Sequence, residues 1–239
     1  QLSCSSGDSE SEDGDTWLIP ESQIEDGGPG KDGIPSIDSP QFIPANSEVG
    51  QSLPSSALVV GVVIGDEVKA YPHDILDWHE VVNDFTGQQP FTLSYCPLTG
   101  SAIAWSRPHS SGGAQFGVSG LLYNSNLILY DRESNSNWSQ MLQQAVNGER
   151  SGELLLSKQL LTIETTWRQW KGWFPDTLLL SSNTGFSRNY SSYPYGDYLM
   201  TASTLFAVDN QDDNRLFAKD RAMGVIIENS AKIYPIAEF

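Results

Sequence analysis

The chain has 239 residues, of which 38% are hydrophobic, and a formal net charge of −17 at pH 7. This length allows one large domain or two small ones. The acidity excludes a nucleic-acid partner, because phosphate binding needs clustered Lys and Arg, and no apolar run approaches the ~20 residues that cross a bilayer.

The N-terminal stretch differs in composition from the rest of the chain. Residues 1–30 are rich in Ser, Gly, Asp and Glu, with acidic residues at Asp8, Glu10, Glu12, Asp13 and Asp15. Such a stretch buries too little apolar surface to offset the entropy cost of ordering it. The sequence therefore predicts an acidic flexible arm over residues 1–30. One folded domain is predicted over residues 31–239, with the proline-punctuated stretch 31–44 wrapped around it.

The start of the chain bears on location. It begins at Gln1 without Met, which is consistent with removal of a signal peptide. Residues 1–4 resemble the end of a bacterial lipoprotein signal. Lipoprotein cleavage would leave the cysteine as the first residue, so the three residues before Cys4 count against a lipid anchor there, which stays an open alternative. With the acidic composition, this favours an extracytoplasmic protein that is secreted, periplasmic or at the cell surface. Two states of the cysteines stay open: a disulfide between Cys4 and Cys96, or two separate thiols.

A β-hairpin is the first element that the pattern predicts inside the domain. The Val-rich run 57–64 and the run 68–71 flank the turn dipeptide Gly65-Asp66. Five more apolar runs have the length and composition of strands. They are residues 91–95, 101–105, 115–118, 127–130 and 177–180.

Three short helices are predicted from the spacing of apolar residues. They cover residues 74–83, with Asp74 as N-cap, residues 136–146, and residues 165–173, starting from a Thr cap. The helix predicted over 136–146 has Trp138, Met141, Leu142 and Ala145 on one face. Short strands with only small helices predict an α+β fold that is β-rich, with a mainly antiparallel sheet.

One segment near the C terminus repeats the predicted hairpin. The segments from Gly61 to Pro72 and from Gly224 to Pro235 have Gly, Val, Ile, Lys, Tyr and Pro at the same offsets. We therefore predict two equivalent hairpins within one β-rich domain.

The reactive residues cluster between His73 and Cys96. His79 follows the first hairpin and Cys96 ends a predicted strand. A thiolate and an imidazole together bind borderline metals such as copper or zinc, and the same pair is also a nucleophile with its base. The candidate third metal ligands are Glu80, His73, Tyr71 and Met200. The alternative is that Cys96 and His79 are buried core residues.

Two further groups of residues have structural interpretations. The cluster from Tyr130 to Glu133 is interpreted as an ion pair at the turn between a strand and a helix. The tyrosines of the segment 190–198 form an aromatic loop that either lines a binding surface or covers one end of the core. They are Tyr190, Tyr193, Tyr195 and Tyr198.

Several short motifs together carry a family resemblance. They are Asp32-Gly-Ile-Pro, Ala70-Tyr-Pro, Trp78-His-Glu-Val-Val-Asn-Asp84, Tyr95-Cys-Pro-Leu, Gly117-Val-Ser-Gly-Leu-Leu-Tyr-Asn-Ser-Asn126, Tyr130-Asp-Arg and Trp138-Ser-Gln140. From about Asp32 to the C terminus the chain resembles the DUF3179 family, whose members are mostly exported bacterial and archaeal proteins without an assigned activity. The resemblance implies domain identity and export. Family members often have Cys-Pro-Leu-Cys, whereas this chain has Thr99, so no two-thiol mechanism is implied.

Three functional hypotheses follow. The first is an extracytoplasmic metal-binding protein with a copper ion at Cys96 and His79, completed by Glu80, His73 or Tyr71. The second is a non-catalytic accessory or binding subunit of a larger extracytoplasmic assembly, with protein partners or self-assembly. The third is a hydrolase or transferase with Cys96 as nucleophile and His79 as base.

Overall fold

The computed structural model describes residues 16–87, 89–107, 114–155, 159–227 and 230–236. Three short helices occur in this part of the chain: α1 (Glu48–Ser52), α2 (His73–His79) and α3 (Trp167–Trp173). The strands are β1 (Ile24–Asp26), β2 (Phe42–Pro44), β3 (Leu58–Ile64), β4 (Glu67–Pro72), β5 (Val81–Thr86), β6 (Gln89–Cys96), β7 (Ser101–Ser106), β8 (Phe116–Tyr123), β9 (Asn126–Asp131), β10 (Asn137–Ser139), β11 (Gln144–Asn147), β12 (Gln159–Leu160), β13 (Thr162–Thr166), β14 (Leu178–Leu180), β15 (Ala222–Ile227) and β16 (Ser230–Pro235).

The strands form three sheets and one separate hairpin. Their orders are β1-β8-β9-β10-β11, β12-β7-β6-β5, β13-β3-β4-β14-β2 and β15-β16. The pairs are antiparallel, apart from the parallel pair of β14 with β4. The predicted β-rich α+β class with mainly antiparallel sheet is confirmed.

The sheet of β5, β6 and β7 is the middle layer of the fold. Val82, Leu93 and Tyr95 face a core shared with β3, β4 and α2. Their neighbours Val81 and Cys96 face the opposite core, which β8 and β9 complete. Successive side chains of a strand point to opposite faces, so a sheet covered on both sides needs nearly continuous burial. This alternation sends Tyr95 and Cys96 into different layers.

The helix predicted over residues 136–146 is wrong. The segment is two antiparallel strands, β10 and β11, in which Trp138 pairs with Ala145 across the sheet. These two residues share a buried face through cross-strand pairing, whereas Met141 and Leu142 are about half exposed between the strands. The apolar spacing of a short hairpin therefore imitated a helical face.

The other two predicted helices exist with shifted ends. Helix α2 begins at His73, after Pro72, so Asp74 lies in its first turn instead of capping it. It ends at His79, because the β-branched Val81 and Val82 begin strand β5. Helix α3 begins from a Thr cap one residue after the predicted Thr165: Thr166 Oγ1 accepts a hydrogen bond from the backbone N–H of Gln169.

The second half of the predicted arm contacts the folded domain, while residues 1–15, including Cys4, lie outside the described residues. Strand β1 pairs with β8. Ile19 is buried, and Trp17 and Ile24 pack against its cluster. These apolar side chains anchor the stretch to the sheet, although the surrounding composition is acidic.

Both repeated segments form antiparallel hairpins, as predicted. Gly61 pairs with Ala70 in the first hairpin, and Gly224 pairs with Ile233 at the equivalent position of the second. Their surroundings differ, because β3 and β4 are central strands of a sheet while β15 and β16 pair only with each other.

Candidate functional site

The C-terminal end of α2 carries the Trp78-His79-Glu80 motif, and the aromatic loop covers it. His79 is fully buried, with Nδ1 2.7 Å from the carbonyl oxygen of Pro35 and Nε2 2.7 Å from the hydroxyl of Tyr190. Because a carbonyl only accepts, Nδ1 carries the proton and donates to Pro35; in a neutral ring Nε2 then accepts from Tyr190. Burial lowers the pKa of His79. His79 thus links three segments as a neutral imidazole.

Glu80 is the residue after α2 and has a left-handed backbone, with φ of 56°. Its side chain is buried, and its Oε1 accepts a 2.6 Å hydrogen bond from the hydroxyl of Tyr195. Burial raises the pKa of Glu80 to about 7, although the Tyr195 hydrogen bond lowers it. No ion pair to Glu80 forms within the described residues.

Asp77 is a second carboxyl group with a raised pKa. It lies in the last turn of α2, three residues before Glu80, and the charge of Glu80 acts on its pKa. Burial, followed by the charges of Asp74 and Glu80, raises the pKa of Asp77 to about 7, and Arg221 opposes the rise. Asp77 is partly exposed, whereas Glu80 is buried. The pair therefore extends from the surface into the interior.

Tyrosines surround these carboxyl groups. Burial is the largest cause of the raised pKa values of Tyr95, Tyr193 and Tyr195, and negative charge on Asp77 or Glu80 adds to each. The hydroxyl of Tyr193 is buried and has no hydrogen-bond partner within the described residues. The site thus holds neutral phenols beside two titrating carboxyl groups.

A chain of polar groups continues from Tyr95. Its hydroxyl lies 3.0 Å from His73 Nδ1, and His73 Nε2 lies 3.7 Å from Oε1 of Glu164. Glu164 also forms an ion pair with Arg221. Burial, followed by the charge of Arg221, lowers the pKa of His73 to about 3. His73 is therefore neutral and oriented by Tyr95.

Cys96 is a free, buried thiol. Its Sγ donates a long hydrogen bond of 3.7 Å to the carbonyl of Ser125. Burial, followed by the charge of Glu80, raises the pKa of Cys96. The side chain packs in the core between the β5–β7 sheet and the β8–β11 strands. A buried thiol with a raised pKa stays protonated, and the protonated thiol is less reactive than the thiolate.

The remaining predicted ligands have other partners or lie apart. The Tyr71 hydroxyl donates a 2.6 Å hydrogen bond to Asp84, and Met200 is 88% exposed. In the part of the chain that the structure describes, no three His, Cys, Asp or Glu side chains are grouped as a metal ion would require. The copper site at Cys96 and His79 stays a prediction.

The sequence did not identify Asp77 and Tyr195 as site residues. The i, i+3 spacing of Asp77 and Glu80 was visible, but their burial was not. The aromatic loop covers one end of the core, in line with one of its two interpretations: Tyr198 donates to the carbonyl of Leu98, and Trp78 Nε1 donates to the carbonyl of Ser192.

The predicted ion pair near Tyr130 is structural but differs in its partner. Arg132 Nη1 lies 2.6 Å from Asp38 Oδ2, far away in sequence. Asp131 accepts hydrogen bonds from the Ser134 backbone and the Trp138 indole. These contacts secure the segment around residues 32–38 and the turn before β10, which is a strand instead of a helix.

The described part of the chain is a layered, β-rich protein with a carboxyl and tyrosine site at the end of its α2 helix. No helix among its described residues has the length and apolar character to cross a membrane. The family model "Protein of unknown function (DUF3179)" matches residues 31–239, so the chain belongs to the DUF3179 family. No curated protein and no solved structure matches it.

Proposed function

We propose that the protein is an enzyme that uses Glu80 as a general acid and base, assisted by Asp77 and Tyr195, on a small polar substrate. The observation that carries this proposal is the position of Glu80. It is a buried carboxyl group in a left-handed backbone conformation. Glycine is the usual residue at such a helix end.

Keeping glutamate there costs stability in two ways. A non-glycine residue in this backbone region costs about 1–3 kcal/mol, and a buried carboxyl group without a cation costs more. Glu80 has only the Tyr195 hydroxyl as a side-chain partner within the described residues. Groups that cost stability without a structural return are concentrated at functional sites.

The chemistry of the site fits proton transfer. A carboxyl group with a pKa near 7 is present in both protonation states at neutral pH, which is the condition for efficient acid–base catalysis. The partly exposed Asp77, with a similar pKa, is suited to exchange protons between Glu80 and solvent. The Tyr195 hydroxyl fixes the orientation of the Glu80 carboxyl.

The test compares matched variants over a panel of chromogenic esters, glycosides and phosphoesters. Glu80→Gln keeps the size and the hydrogen bond but cannot ionise, so turnover should fall at least 100-fold. Asp66→Asn, in the exposed turn between β3 and β4, serves as the control and should retain full turnover. Equal activity of Glu80→Gln and the unaltered protein would refute the assignment.

Copper binding at Cys96 and His79 remains a separate proposal. Its support is the closeness of Glu80 to Cys96, since the Glu80 charge raises the pKa of the thiol. A metal would have to displace the Tyr190 hydroxyl from His79 Nε2. In a copper titration, Cys96→Ser should abolish uptake without unfolding, because the side chains are of nearly equal size.

The other two hypotheses stand differently. Burial of Cys96 and His79 supports the accessory-subunit hypothesis, in which both are core residues. A thiol nucleophile requires a thiolate, which the raised pKa of Cys96 opposes.

We also propose an extracytoplasmic location, supported by the net charge of −17. Fractionation of source cells tests it, and recovery with the cytoplasmic proteins would contradict it.

A further inference from the structure

The two hairpins of the repeat share their register as well as their sequence. Lys69 pairs with Val62 in the first hairpin, and Lys232 pairs with Val225 in the second. Pro72 and Pro235 likewise pair with the first residues of their registers, Val59 and Ala222. Equivalent residues therefore face equivalent sides of the two hairpins.

The first hairpin uses one face to hold a carboxylate of another sheet. Lys69 Nζ lies 3.0 Å from Asp84 Oδ2, and the Tyr71 hydroxyl donates to the same oxygen at 2.6 Å. Asp84 lies on β5, in the sheet that packs against this hairpin. Lys69, Tyr71 and Asp84 are all buried. A Lys-x-Tyr pair thus clamps an aspartate inside an apolar layer.

The second hairpin presents the same face without a covering sheet. Lys232 and Tyr234 take the places of Lys69 and Tyr71, and Lys232 Nζ lies 5.7 Å from the centre of the Tyr234 ring. Among the described residues, Lys232 makes no ion pair. The apolar side chains on this face are also exposed: Met223 by 55%, Ile227 by 67% and Tyr234 by 45%.

An isolated two-stranded hairpin is marginally stable in water, so a face of this kind requires a partner layer. We propose that the face of Met223, Ile227, Lys232 and Tyr234 docks onto a β-sheet of a partner protein that presents a carboxylate among apolar side chains. The carboxylate would take the place that Asp84 has on the first hairpin. Burying Lys232 requires such an opposite charge, since an unpaired buried ammonium is strongly disfavoured.

In a second copy of this chain, the sheet that carries Asp84 is not open to such docking. Its own aspartate of this kind, Asp84, is already clamped by Lys69 and Tyr71. The face of β5 and β6 around it is covered by β3 and β4. The partner is therefore a different polypeptide surface with the same chemistry.

Footprinting of the protein in its native source tests this proposal. Amine acetylation of Lys232 should be at least ten times slower there than in the purified chain, while Lys171 should react equally in both. Equal labelling of Lys232 in the two samples would overturn the proposal. Binding at this face does not involve Glu80, so it is independent of the acid–base function.

Carbodiimide cross-linking then identifies the group that covers Lys232. The expected product joins Lys232 to an Asp or Glu flanked by apolar residues at alternate positions of a strand in another protein. A cross-link to this same chain, or to a carboxylate on a helix, would overturn the assignment of the partner. In the variant Lys232→Met, the Tyr234 ring should become as accessible to chemical labelling in the native source as it is in the purified chain. The thermal midpoint of the purified variant should stay within about 2 °C of that of the unaltered protein, as for an exposed substitution.

Discussion

The hydroxyl of Tyr195 reaches across 115 residues of sequence to donate a 2.6 Å hydrogen bond to Glu80. This contact joins the aromatic loop to the end of helix α2. It is also the one side-chain hydrogen bond that acts on the pKa of Glu80. The loop therefore controls the carboxyl group on which the proposed function depends.

Replacing Tyr195 with Phe should raise the pKa of Glu80 further. The hydrogen bond from Tyr195 favours the ionised form, so its removal favours the protonated one. The matched control is Tyr193→Phe, because the Tyr193 hydroxyl has no partner within the described residues. NMR titration of the side-chain carboxyl carbon measures the pKa of Glu80 in both variants. An unchanged titration of Glu80 in Tyr195→Phe would contradict the role given to the hydroxyl.

The contribution of Glu80 to the stability of the protein should fall as pH rises from about 4 to about 7, against the opposite contribution of the buried His73. Glu80 has a folded-state pKa of about 7 against an ordinary value of 4.5, so the folded state binds more protons in this window. The stabilisation is complete below the ordinary pKa and is lost as pH rises through the folded one. For Glu80 the change amounts to about 3 kcal/mol.

Urea unfolding at pH 4.5 and at pH 8 measures this dependence, with Glu80→Gln as the comparison. In the variant, the difference in the free energy of unfolding between the two pH values should lose most of the contribution of Glu80, while the contribution of Asp77 remains. A variant with the same pH dependence as the unaltered protein would show that Glu80 does not titrate in this range.

The hairpin β3–β4 shows which parts of the fold the sequence could predict. Its turn dipeptide and apolar runs are local, and the structure agrees with them. The hairpin of β10 and β11 was missed because its apolar spacing is shared by a helix, and only cross-strand pairing distinguishes them. Local patterns therefore predicted most strands but not every element.

The site was harder to predict, for a physical reason. Cys96 and His79 are near in sequence, but the alternation along β6 turns Cys96 towards β8 and β9. His79 instead contacts Pro35 and Tyr190, which come from distant segments. The sequence predicts Glu80 only as a candidate metal ligand, because burial and a partner 115 residues away decide its pKa, and neither is a local property.

The two glycines of the repeat should respond differently to alanine. A Cβ on Gly61 would lie 2.2 Å from ring atoms of the buried Trp170, whereas a Cβ on Gly224 would meet nothing within 4 Å. Overpacking of this kind costs about 1–3 kcal/mol, or more against a rigid ring. Gly61→Ala should lower the free energy of unfolding by at least that amount, and Gly224→Ala should leave it unchanged. Comparable losses in both variants would mean that the second hairpin is also covered in the free chain.

The paired lysines of the two hairpins give the sharpest contrast in stability. Lys69 is buried against Asp84 and also donates to the carbonyl of Phe85. Removing one member of a buried pair leaves the other charge without compensation, which costs about 3–5 kcal/mol. Lys69→Met should therefore destabilise the purified protein by about that amount in urea unfolding at pH 7, because Asp84 loses its ammonium partner and keeps the Tyr71 hydroxyl and the backbone N–H of Phe85 as hydrogen-bond donors. Lys232→Met should change the unfolding free energy by less than about 0.5 kcal/mol, as expected at an exposed site. If both variants unfold alike, the burial assigned to Lys69 and the exposure assigned to Lys232 cannot both be correct.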